Sequence, residues 1–380
     1  MKIETFKLER FESTWEKVVE FNLAESGVHP LSIEDFVGKK EMAELEKLGL
    51  GYGQTNGTPG LRKNIAAMYP GIDLDQIQVT IGSTEANFLL MWSLIEEGDE
   101  VVFELPNYMQ MWGLLRGFGA SVKTFCLREE KNWAPDLDEL GRAVTKKTKL
   151  IILTNPNNPT GAVLSKEEME EIIRIARKAG AWILADEVYQ GAERVGGRTP
   201  TFWGRYDKVI CVNGMSKAYG LAGLRIGWIA GPLELIKSVW PYHDYTAISP
   251  SILSDKLATI ALSPATRAKI LRRTKTILTT NFPVLETWLK SRPRLFSFVP
   301  PKAGAIAFVR YNLAVNSTSL AEKIIRDESV FLVPGDLFEM DRYLRIGFGL
   351  EEKSLRRALT RVDKVLTADS GDRAGSSSGA

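Results

Sequence analysis

Histidine and cysteine are scarce, two of each in 380 residues: His29 and His243, Cys126 and Cys211. With so few histidines a zinc or other metal site is not expected. Both cysteines lie in apolar, strand-like runs and read as buried thiols rather than a disulfide or a metal pair. No apolar run approaches the ~18 residues of a membrane-spanning helix. The start, MKIETFKLER, alternates charged and apolar residues and has no apolar core of the signal-peptide kind. A cytoplasmic protein is therefore expected. Charge of one sign is not in excess either. Lys and Arg number 49 against 47 Asp and Glu, a formal net charge of +2, so nucleic acid and acidic membranes are not favoured partners.

What is present is ordinary globular material, 44% hydrophobic and 25% charged, in a length that suggests two domains. From about residue 77 short apolar runs alternate with helical patterns. QVTIG, EVVFEL, SVKTFCL, KLIILTN, AWILADEVY, KVICVN and RIGWIAG read as seven strands. Strands alternating with helices imply a mostly parallel sheet wrapped on both faces. In such sheets ligands sit at the carboxyl ends of the strands. Four polar clusters fall there: Gly82-Ser83-Thr84, Asn155 to Gly161, Asp186 to Tyr189, and Ser216-Lys217.

Each cluster has a chemical reading and a plainer one. Lys217 lies between two core strands in VNGMSKAYGLAGLRIGW. Desolvation there would lower its pKa and free a nucleophilic amine able to form a Schiff base; otherwise it reaches water from a loop. Ser83 and Thr84 open a helix whose free N–H groups can hold a phosphate, or they are an ordinary cap. Asp186 ends a core strand and needs a cationic partner, either a protonated pyridine nitrogen or an arginine of the fold. Tyr189 and Asn158 can donate to a phenolate oxygen, or serve packing and a turn. In GLGYGQTNGTPGLR, Thr58 and Pro59 open a helix and Tyr52 is exposed.

In this order, YGQTNGTPGLR, GSTEANF, PNY, NPNNPTG, ADEVY, MSKAYGLAGLRIGW and LRIGFG resemble the class I/II aminotransferases, pyridoxal-phosphate enzymes of fold type I. The resemblance spans about residues 20–366. It implies a seven-stranded sheet domain and a smaller α+β domain. It also implies that Lys217 forms the Schiff base with pyridoxal 5'-phosphate and shuttles the proton. By the same resemblance Asp186 holds the ring nitrogen protonated, Asn158 and Tyr189 bond the ring oxygen, and Tyr108 stacks on the ring. Ser83, Thr84, Ser216 and Arg225 match phosphate positions. Tyr52 matches a tyrosine that reaches the phosphate of a neighbouring subunit, which implies a homodimer with shared sites. Arg345 matches the arginine for the substrate α-carboxylate, with a surface arginine as its plainer reading. Gly27 and Asn158 are placed beside that carboxylate. One position departs: Gly214 stands where many members carry a phosphate-binding serine.

The expected organisation is an arm (1–45), a large cofactor-binding domain (46–248), a small domain (249–366) and a disordered polar tail (367–380). The implied activity is transfer of an amino group from an L-amino acid to a 2-oxo acid. NLAESGVHPLS, NYMQMWG and YHDYT also resemble a subgroup that includes capreomycidine synthase-like proteins, which implies elimination and ring closure on an arginine derivative as the alternative. Glu25, His29 and Asp244 are expected to border the side-chain pocket, where Glu25 and Asp244 would suit a basic amino acid. A non-enzymatic regulator on the same fold is disfavoured by the presence of Lys217 and by an arm too short for a DNA-binding domain.

Overall fold

In the computed structural model, residues 3–371 are described. The seven apolar runs form strands β1 (Ile77–Ile81), β2 (Glu100–Leu105), β3 (Ser121–Arg128), β4 (Thr148–Thr154), β5 (Trp182–Asp186), β6 (Val209–Gly214) and β7 (Ile226–Ala230). They pair in the order β1-β7-β6-β5-β4-β2-β3. Neighbours from β6 to β3 run parallel. β7 is antiparallel to both β1 and β6. A two-residue eighth strand, Ala134–Pro135, is added antiparallel to β3 and was not among the seven expected. It is too short to carry a hydrophobic period of its own.

Side chains alternate across this sheet. Ile183, Ala185 and Cys211 enter one core cluster, while Leu184, Ile210 and Val212 enter another on the opposite face. Each such aliphatic side chain, wholly removed from water, contributes roughly 1.5–3 kcal/mol of transfer free energy. Helix Lys166–Ala179 shows how the covering layer is specified. Ser165 and Glu168 cap its start reciprocally, Gly180 ends it in a left-handed turn, and Met169, Ile172, Ile173 and Ala176 face the core.

A second sheet contains β8 (Phe296–Phe298), β9 (Ile306–Tyr311), β10 (Val333–Pro334) and β11 (Tyr343–Gly347), in the order β8-β9-β11-β10 and wholly antiparallel. The 27-residue helix Pro264–Lys290 begins with Pro264 in its first turn, where no N–H is needed.

The expected arm begins with a helix and a short strand. Helix α1 (Lys7–Trp15) buries Leu8, and Phe11 packs on Phe331 at 5.7 Å. Phe21–Asn22 then pairs in parallel with Val330–Phe331. The expectation of disorder from residue 367 is also corrected. Helix Glu352–Gly371 runs on to Gly371, because Val365 and Leu366 are buried in its preceding turn and no proline stops it. The rest of the expected tail, 372–380, lies outside the described residues. No described helix is long and apolar enough to cross a membrane.

Candidate active site

The carboxyl ends of β4, β5 and β6 open onto a cavity of about 390 Å³. Eleven residues singled out from the sequence line it: Glu25, Ser83, Thr84, Tyr108, Asn158, Asp186, Tyr189, Ser216, Lys217, Arg225 and Arg345. Gly27 and Tyr52 do not. Gly27 packs behind Ser216 and Lys217, and its N–H donates to Glu25 Oε1 at 2.8 Å. Tyr52 is 88% exposed.

One end of the cavity is built to receive negative charge. Helix α2 (Gly82–Leu94) starts directly after β1, so the N–H groups of its first turn have no partner within the helix. Arg225 lies against that turn. Its backbone is left-handed (φ 51°), a conformation that costs a non-glycine residue about 1 kcal/mol or more. Its guanidinium makes a long bond to Ala222 O at 3.4 Å. Two glycines permit this closeness. A Cβ on Gly82 would fall 2.5 Å from Arg225 Nη2, and one on Gly227 would fall 2.4 Å from Ser83 N. Gly214 stands beside the same turn, and a Cβ there would lie 3.2 Å from Ile226 O and 3.7 Å from Ser83 N. The space left for a serine hydroxyl at this position is therefore tight.

Asp186, at the end of β5, has the opposite need. It is 3% exposed and accepts from Val188 N at 3.1 Å. Burial, the dominant influence, pushes its carboxyl up to about 6, against the pull of bonds from Val188 and Asn87. Among the described residues no arginine pairs with it, so the salt-bridge reading of Asp186 is not met. Next to it, the loop after β4 is anchored by Glu104, which accepts from Asn157 Nδ2 at 2.7 Å and Thr154 N at 3.2 Å. Burial pushes Glu104 up to about 8.

Lys217 corrects an expectation. Burial alone would lower its pKa. The carboxylates of Glu25 and Glu12 and the Tyr189 phenol outweigh it, so the ammonium is held above the usual lysine range. Nζ lies 3.0 Å from Glu25 Oε1. Glu25 is in turn pulled down to about 2, chiefly by Lys217. The 46% of Glu25 that is accessible opens on the cavity it lines, and water there weakens the pair. Tyr189 donates to Ser26 Oγ at 2.8 Å, and burial raises its phenol.

The other end of the cavity is where sequence reasoning fell short. Arg345 projects from β11 opposite Phe308 of β9 and is 2% exposed, which removes its surface reading. It donates to Glu12 Oε1 at 2.7 Å, Ala24 O at 2.6 Å and Asn158 Oδ1 at 3.1 Å. Glu12 comes from α1, and with it come Glu9 and Glu16, all three lining the cavity. Glu9 accepts from Tyr108 OH at 2.5 Å. None of these glutamates was anticipated, although their spacing of three and four puts them on one helix face. Two residues expected at the side-chain pocket are elsewhere. Asp244 is an exposed residue at the end of helix Leu233–His243. His29 accepts from Arg273 Nη2 at 2.7 Å, and burial followed by that guanidinium lowers its pKa.

The cavity fits pyridoxal phosphate on its own features. Asp186, buried with no cation to pair with, matches a protonated ring nitrogen. Arg225 and the start of α2 match a dianionic phosphate. Lys217 supplies an amine within the same space. A lysine, an aspartate and an anion cradle set at the strand ends of such a sheet define a pyridoxal-phosphate enzyme of fold type I.

The comparisons narrow this. The profile described as "Aminotransferase class I and II" matches residues 30–362. Capreomycidine synthase of Streptomyces vinaceus is 30% identical over 325 residues, 85% of this chain and 82% of its own length. An aspartate aminotransferase of Pyrococcus horikoshii is 28% identical over 353 residues, 88% of this chain and 89% of its own. A solved pyridoxal-phosphate-dependent aminotransferase from Streptococcus suis superposes with a TM-score of 0.91 at 33% identity, covering 97% of this chain and 99% of that one. The chain belongs to the class I and II aminotransferases. It is a pyridoxal-phosphate-dependent enzyme, of the class that moves amino groups between amino acids and oxo acids.

Proposed function

We propose that the reaction is transamination of an L-amino acid and that Lys217 is its acid and base. The observation that carries this reading is Lys217 sharing one cavity with an Asp186 that has no internal cation. When bound, pyridoxal phosphate supplies the electron sink that makes removal of the substrate Cα proton feasible. Lys217 would hold the cofactor in the resting enzyme and, once free, would carry the proton that leaves the substrate Cα. Glu25 positions its ammonium. Asp186 keeps a ring nitrogen protonated, and its burial strengthens that charge pairing. Asn158 and Tyr189 would hold the ring oxygen, and Tyr108 would pack on the ring. Arg225, Ser83, Thr84 and Ser216 hold the phosphate. Arg345 takes the substrate α-carboxylate with Asn158 beside it, as a guanidinium fork suits. Gly27 backs this wall, and Glu25 holds its N–H in the structure as it stands.

The organisation follows the same reading: an arm (1–45), a cofactor-binding domain (46–248) and a small domain (249–366), working in the cytoplasm with both thiols free. A homodimer is included in it. Leu50, Tyr52 and Tyr245 are each at least 80% exposed, an apolar surface that suits a second copy, with Tyr52 reaching the partner's phosphate.

The test is a single-turnover reaction of the loaded enzyme with a panel of amino acids. Stoichiometric release of a 2-oxo acid, with the cofactor left in its amine form, supports the reading. The likeness to capreomycidine synthase favours one other outcome. Ammonia or a cyclised product with the aldehyde form regenerated would replace transamination with elimination and ring closure.

A further inference from the structure

We infer that Glu12 makes recognition of the substrate's side chain conditional on an exchange of ion pairs, and that the side chain it favours is cationic. This rests on the reading above, in which Arg345 receives the α-carboxylate. Glu12 already occupies that arginine, at 2.7 Å. A substrate carboxylate must displace it. The displaced glutamate stays on α1, between Glu9 and Glu16 on the same face, in a cavity those residues also line.

Charge decides what happens next. The cavity holds the carboxylates of Glu9, Glu12, Glu16, Glu25 and Asp186 against the cations Lys217, Arg225 and Arg345. Lys217 answers Glu25, and Arg345 answers Glu12. Once Arg345 turns to the substrate, Glu12 has no cation in contact among the described residues and keeps only the pull of Lys217, which is paired with Glu25. Glu9 offers none, since it accepts from the neutral Tyr108 hydroxyl. Among the described residues Glu16 is ion-paired with Lys17, at 3.9 Å and 84% exposed. Burial already raises the pKa of Glu12 even with Arg345 beside it, and losing that partner makes its charge costlier. A substrate that carries an ammonium or guanidinium at the end of its side chain replaces the lost partner. A neutral or acidic side chain does not.

An independent feature points to a ligand at the same place. Arg345 is 2% exposed, and its Nε is buried without a hydrogen-bond partner. Glu12 uses one Nη of the fork through a single oxygen. A carboxylate that engages the fork through two atoms satisfies the guanidinium better than Glu12 does. Glu12 is therefore a competitor for anionic ligands and an ally for those that also bring a cation.

The experiment is calorimetric titration of the loaded enzyme and its variants with two carboxylates that lack an α-amino group and cannot react, 5-guanidinopentanoate and hexanoate. Steady-state kinetics with arginine and leucine run alongside. In Glu12→Gln, hexanoate should bind tighter and 5-guanidinopentanoate weaker, so that the preference for the cationic ligand falls about tenfold or more. Glu9→Gln and Glu16→Gln should weaken only the cationic ligand, because neither glutamate touches Arg345. Equal weakening of both ligands in Glu12→Gln, or an unchanged ratio in all three variants, overturns the inference. Failure of the underlying reading looks different. Arg345→Gln would then leave hexanoate binding unchanged, and no amino acid would be transaminated.

Discussion

The two ends of the cavity are made in different ways. On the proposed reading, the cofactor end is assembled from strand ends and one helix start, all between Ser83 and Arg225, and its key groups are fixed by backbone register. The end proposed to take the substrate is assembled from α1 and β11, whose contact between Glu12 and Arg345 spans 333 residues of sequence. Chemistry that every member of a family shares belongs on the first kind of support. Choice of substrate can be written on the second, where a side chain on a peripheral helix changes the charge of the pocket without moving a strand.

Four substitutions would break or sharpen that contrast. Lys217→Ala strikes the cofactor end at its centre, and turnover of every amino acid should fall at least roughly a thousandfold. The visible absorbance of the loaded protein should change with it, and a variant that keeps both would remove Lys217 from its role. Asp186→Asn keeps the shape and deletes the charge. A loss of kcat of about a hundredfold or more, with KM little altered, is expected in rapid kinetics; a pure KM effect would argue against a cofactor role.

Glu25→Gln tests the border between the two ends. With that carboxylate gone Lys217 loses the main influence holding it protonated. The free amine then prevails at lower pH. Uptake of pyridoxal phosphate by the apoprotein near neutral pH should quicken about tenfold, and an unchanged pH dependence would show that the pair is too well hydrated to matter. Glu104→Gln should have the smallest effect on activity. Its carboxyl is raised from 4.5 to about 8 by burial, so the folded state keeps a proton that the unfolded chain releases between those values. Stability from this group is fully present below pH 4.5 and is lost as pH rises toward 8. The variant should match the parent near pH 4 and exceed it at pH 9 by up to about 5 kcal/mol in denaturant titration. The isosteric amide oxygen can still accept from Asn157 and Thr154.

The same contrast explains what could be read from the residues alone. Seven of the eight strands of the main sheet were legible, because each is a short apolar run, whereas the two-residue eighth is not. Asp186 and Lys217 were legible for that reason, as charged residues in places where charge is costly. The state of Lys217 was not, because the carboxylate that sets it is 192 residues away. Glu9, Glu12 and Glu16 were not, because an acidic stripe on a short helix has the same pattern whether it faces water or a cavity. Only the packing of Leu8 and Phe11 against the second sheet turns the stripe inward. Asp244 shows the converse error, since its neighbours in sequence lie near the site and its side chain does not.

Helix α1 ends at Trp15, while the stretch matched to the family profile begins at residue 30. On the selection proposed here, the three glutamates that favour a cationic substrate all precede that stretch. Two such enzymes could differ in diet through their first twenty residues alone. Grafting that segment between relatives, with residue 9 still able to accept from Tyr108, would then be a direct route to a new specificity.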